Sequence, residues 1–89
     1  MKIVEGFRLR NIGQEHIVTG EGLAQINFNK MISLNDSAAF LWERIEGRDF
    51  SVQDLADALV EEYEIDAETA LRDSEAIARK WIEAGIVAE

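Results

Sequence analysis

The side chains able to do chemistry are few, and their spacing argues against catalysis. His16 is the only histidine among 89 residues and cysteine is absent. A multi-histidine metal centre, a histidine dyad and thiolate chemistry are therefore excluded. His16 falls in a β-branched stretch and reads as a surface or hairpin residue. The acidic run Asp57, Glu61, Glu62, Glu64 and Asp66 is dense enough to attract a divalent ion. It lacks the alternating oxygen ligands and central glycine of a calcium loop, and so reads as a solvated helix face. Ser33, Ser37, Ser51 and Ser74 have no base nearby in sequence and no flanking glycine elbow to expose a nucleophile. Ser51 is explained by helix capping. The expectation is a protein that binds rather than one that catalyses, with no metal and no cofactor.

Eighty-nine residues, 47% of them hydrophobic, suffice for one domain with a modest core. That domain is expected to span 1–89, with a sheet in residues 1–34 and helices in residues 35–89. No apolar run approaches the roughly 20 residues that cross a bilayer, and Met1 to Gly6 lacks the apolar stretch of a secretory signal. A cytoplasmic location is expected, with no membrane partner. The net charge of −9 is unevenly spread. Residues 1–34 hold four basic and three acidic side chains, whereas residues 35–89 hold five basic and fifteen acidic ones. Such a field repels a phosphate backbone at long range and disfavours a nucleic-acid partner.

The elements that must position any binding surface follow from periodicity. Phe7 to Asn11 alternates apolar and polar residues, as does a strand with one buried face. Turn chemistry at Asn11 to Glu15 leads into His16-Ile17-Val18-Thr19 as its hairpin partner. Gly20-Glu21-Gly22 breaks the pattern. Ile26, Phe28, Lys30, Ile32 and Leu34 then share one parity, and Lys30 to Leu34 is the surest part of a third strand.

From Asn35 the period becomes helical. Asn35 is the expected N-cap of a helix whose stripe is Ala38, Leu41, Trp42 and Ile45, ended by Gly47. Ser51 caps the second helix with Asp54 as capping-box partner, and Phe50 and Leu55 form a hydrophobic staple. The second stripe is Val52, Leu55, Ala56, Leu59, Val60 and Tyr63. Asp66 caps the third helix, whose stripe is Ala67, Ala70, Leu71, Ser74, Ala78 and Trp81 with Ile77 and Ile82 at its margins. Gly85 and Ile86 supply its C-terminal cap. Trp42 and Trp81 are expected in the core.

Three strands followed by three amphipathic helices make an α+β domain. In a three-stranded meander the last strand is an edge, and an uncovered edge displays unpaired backbone donors and acceptors. Lys30 is the only charge in Lys30-Met31-Ile32-Ser33-Leu34, and the chain has no proline. This weakly guarded edge suits an extended peptide as a docking rail.

Ile32-Ser33-Leu34-Asn35-Asp36-Ser37-Ala38-Ala39 resembles the Leu-Asn-acidic-Ser/Thr-Ala signature at the first helix of the PqqD family. Trp42 to Gly47 followed by Phe50-Ser51-Val52, Leu55 to Tyr63, and Leu71 through Ile86 are similar to the family's helices in the same order. The resemblance covers roughly residues 7–87. It implies a winged-helix-like domain that captures the leader segment of a ribosomally made precursor peptide and presents it to a modifying enzyme, often of the radical S-adenosylmethionine type. The implied rail is Lys30, Met31, Ile32, Ser33 and Leu34, with the third helix as the facing wall. On a helical wheel Arg72, Glu75 and Arg79 share one flank, and Asp73, Ile77 and Lys80 the other. The first is the expected wall, because its two arginines could bind an acidic leader. The stretch Gly22 to Asn29 departs from the shorter connection expected of the quinone-cofactor pathway members, which leaves the pathway open.

Two other readings compete. A winged-helix transcription regulator needs a basic recognition helix, but Arg72, Arg79 and Lys80 are offset by Glu68, Asp73, Glu75 and Glu83. A homodimeric interaction domain would use the same edge for a second copy.

Overall fold

The computed structural model describes residues 1–20 and 31–89. Lys30 and the earlier part of the third extended segment, including Ile26 and Phe28, lie outside them. The described elements are β1 (Lys2–Ile3), β2 (Phe7–Ile12), β3 (Glu15–Gly20), β4 (Met31–Leu34), α1 (Asp36–Ile45), α2 (Val52–Glu62), α3 (Ala67–Glu83) and β5 (Val87–Ala88). Strands β2, β3 and β4 form an antiparallel sheet in that order, and the three helices follow, so the fold is α+β.

The β2–β3 hairpin closes on Gly13 and Gln14, with Ile12 paired to Glu15. Gly13 takes φ +63° while Gln14, like every described residue other than glycine, has negative φ. That is the pattern of a type II′ turn, whose twist suits a hairpin. Register places Val18 between Leu9 and Ile32, so these three share the inner face. Phe7, Val18 and Leu34 from that face join Leu41, Trp42 and Ile45 of α1, Leu55 and Leu59 of α2, and Ala70, Ala78 and Trp81 of α3 in one core. Trp42 and Trp81 meet edge to face with centroids 5.4 Å apart, so both tryptophans are core residues.

The expected caps form. Asn35 Oδ1 accepts the Ala38 N–H at 2.8 Å, and the Ser51 and Asp54 side chains accept each other's backbone N–H at 3.1 and 2.9 Å. At the end of α3 the Gly85 N–H donates to the Ile82 carbonyl and the Ile86 N–H to the Trp81 carbonyl. With Gly85 at φ +80° this is a Schellman motif, and Ile86 folds back into the core. Asp66 Oδ1 accepts the Thr69 N–H at 2.7 Å. That backbone bond, then the Thr69 hydroxyl, and more weakly Arg72, hold the Asp66 carboxyl below the usual carboxylate range. Folding therefore favours the ionised form. The stabilisation is fully present above the unfolded-state pKa and fades as pH falls through the lowered folded-state value. In thermal melts across pH, the gap between native protein and Asp66→Asn should be widest near neutrality and close below about pH 4.

Three expectations need correction. Val60 is exposed and Tyr63 partly so, although both lie on the α2 stripe, and Ala58 is buried instead. Tyr63 is the C-cap of α2 and packs edge-on against Phe40 of α1 at 5.9 Å, outside the main core. Ala67 and Leu71 on α3 are likewise exposed, because the buried line narrows to Ala70, Ser74, Ala78 and Trp81. Finally, a second sheet exists: β1 pairs with β5, Lys2 opposite Ala88 and Ile3 opposite Val87. The Val4 N–H donates to the Ile86 carbonyl, and Phe50 and Met1 exchange two 2.8 Å bonds that tie the N-terminus to the α1–α2 loop.

Candidate peptide-binding groove

Strand β4 has β3 as its single strand neighbour among the described residues. Its other edge carries backbone groups that no described strand pairs. Ile32 packs partly on the core and Leu34 is buried, whereas Met31 and Ser33 are exposed on the opposite face. A segment added along this edge would meet backbone first, with side chains alternating toward and away from the helices.

Beyond the C-terminal end of β4 lies a cavity of about 380 Å³. Its walls are Asn35 and Ser37 at the start of α1, Leu59, Tyr63 and Ile65 at the end of α2, and Asp73, Ala76 and Ile77 of α3. The Asn35 cap holds the first wall in place, since its Oδ1 accepts from both the Ala38 N–H and the Ser37 hydroxyl. His16 also reaches the start of α1. On β3, opposite Leu34, its Nε2 lies 2.8 Å from Asp36 Oδ1 and its Nδ1 2.5 Å from Asn11 Oδ1. The lone histidine thus links β2 and β3 to the first residue of α1, a tertiary role that a surface-residue reading does not contain.

The flank of α3 that meets the cavity is not the expected one. Asp73, Ala76 and Ile77 line it; Arg72, Glu75 and Arg79 do not. The reason is the roll of α3 against α2. With Ala70, Ser74, Ala78 and Trp81 buried, the α2 residues Leu59 and Tyr63 meet α3 beside Ile77. Arg72 is mostly exposed and sits 3.5 Å from Glu68 one turn earlier. That pairing weakens the recognition-helix reading further, because one of three cations on α3 is offset within its own helix. No wheel could reveal the cavity's α2 wall, although Tyr63 and Ile65 beside a capped helix start were its signal.

A larger cleft of about 800 Å³ flanks β2, the sheet's other edge, between residues 2–9 and 46–48. Lys2, Arg8 and Arg48 line it together with Glu5 and Glu46, so its walls carry charges of both signs. Among the described residues no cluster of three metal-ligating side chains occurs, and no helix is long and apolar enough to cross a membrane.

No curated protein sequence matches the chain. Among solved structures, TbiB1 in complex with the TbiA(beta) leader peptide superposes over 100% of both chains with a TM-score of 0.77 at 20% identity, a likeness of fold. The family model described as coenzyme PQQ synthesis protein D (PqqD) matches residues 15–87, which include β3, the β4 edge and all three helices, and the chain belongs to that family.

Proposed function

We propose that this chain is a noncatalytic module that captures the leader segment of a ribosomally made precursor peptide and delivers it, in the cytoplasm, to a modifying enzyme of the radical S-adenosylmethionine type. The observation that carries the reading is a β4 edge that no described strand pairs, followed directly in the chain by Asn35, which lines a helix-walled cavity. Strand addition along Met31, Ile32, Ser33 and Leu34 supplies backbone hydrogen bonds, and the cavity supplies selectivity. Family membership and the fold shared with a leader-peptide complex support it.

A useful complex requires a dissociation constant near micromolar, about 8 kcal/mol of net binding free energy. Titrating isotope-labelled protein with the leader of a precursor peptide encoded beside it should move the amide resonances of Met31 to Leu34. Saturable binding that leaves those four amides unmoved would rule out the edge as the seat.

A further inference from the structure

We infer that the segment bound in this groove carries an apolar side chain with a lysine or arginine beside it: the apolar group fills the cavity and the cation pairs with Asp73. The inference rests on the peptide-binding reading and specifies the class of peptide. The cavity volume of about 380 Å³ is at the lower end of ligand-sized pockets, roughly 300–1,000 Å³, room for one large side chain and the start of the next. Leu59, Tyr63, Ile65, Ala76 and Ile77 give it an apolar lining. Asp73 is the one charged residue among the described residues that line it.

Electrostatics at the mouth point the same way. Glu62 and Glu64 bracket Tyr63, and Asp36 lies between Asn35 and Ser37. Asp73, Glu62 and Glu64 have no ion-pair partner among the described residues, and Asp36 is engaged only by His16. Lys80, one turn beyond Ala76 and Ile77, is the nearest cation along the same flank. Asp73 in the lining and Asp36, Glu62 and Glu64 next to lining residues in the chain, within a helical half carrying fifteen acidic and five basic side chains, bias the potential around the cavity to negative. An acidic segment would have to work against that field. A basic one is drawn in, and a charge-assisted bond to the Asp73 carboxylate adds to its affinity.

The test is a display selection of random ten-residue peptides against the intact protein, run in parallel against Asp73→Lys. Asp73 is exposed, so the variant should fold, which far-UV circular dichroism checks. The native chain is expected to enrich peptides with an apolar residue followed within two positions by lysine or arginine. Changing that cation to glutamate should weaken binding about tenfold, and Asp73→Lys should reverse the preference. Enrichment indifferent to charge, or a preference that Asp73→Lys leaves unchanged, overturns the inference while keeping peptide binding. Failure of both proteins to enrich any peptide overturns the peptide-binding reading and the inference with it.

Discussion

Proline placed singly at Ile32 and Ser33 is expected to give opposite results at neighbouring positions. Along an antiparallel edge strand, consecutive residues direct their N–H groups alternately toward the partner strand and away from it. One of these two amides therefore bonds β3, and the other points to the open side of β4. Proline removes the donor in either case. At the inward position it breaks the ladder and lowers stability by roughly 1–3 kcal/mol, the cost of leaving a buried acceptor unsatisfied. At the outward position the sheet stays intact while the rail loses a donor and gains a ring in the peptide's path. That variant should keep its urea midpoint near the native value and bind peptide at least about tenfold more weakly, a change of about 1.4 kcal/mol. Ile32→Ala provides the baseline for the packing Ile32 makes on the core. Anisotropy titrations and urea melts on the same samples separate the two effects. If both proline variants bind with native affinity, strand addition at β4 is wrong.

Trp42→Ala should cost more stability than any other single truncation. Trp42 is fully buried in α1, contacts Trp81 of α3 edge to face, and is the largest of the fully buried side chains. Truncating a buried tryptophan costs about 3–5 kcal/mol through lost transfer energy and the cavity left behind. A domain of this size has roughly 4–13 kcal/mol in total. The variant should therefore lie near or beyond the edge of cooperative folding. Trp42→Phe should be far milder. The indole Nε1 is buried without a hydrogen-bond partner among the described residues, so phenylalanine removes an unsatisfied donor while losing only part of the volume. Urea unfolding followed by circular dichroism checks both. A loss under about 1 kcal/mol for Trp42→Ala would mean that the two tryptophans do not join α1 to α3 as described.

Local features were the legible ones. Asn35, Ser51 with Asp54, Asp66 and Gly85 act through bonds to backbone within four residues, so a short window of sequence contains everything that fixes them. The alternation of Phe7 to Asn11 and the shared parity of Ile32 and Leu34 announced their strands for the same reason. The β1–β5 ribbon was not legible. Each strand is two residues long and its partner lies at the far end of the chain, so no periodicity develops. The candidate groove divided along the same line. Its edge could be read from the order of strands and from Lys30 being the only charge in Lys30 to Leu34. Its helical wall could not, because a wheel orders the faces of α3 without saying which neighbour each one meets. Leu59 and Tyr63 of α2 decided that Asp73 and Ile77, rather than Arg72 and Arg79, line the cavity.

The ribbon sets Lys2 and Ala88 about one interstrand spacing apart, roughly 5 Å between paired Cα atoms, so the backbone can be bridged between them. A few glycines and serines would be enough to close this backbone into a ring. Fresh ends could then be cut at the Gly13-Gln14 turn, on the opposite side of the hairpin from the ribbon. Such a permuted protein would present a tether for fusion at a new place while keeping the β4 rim intact.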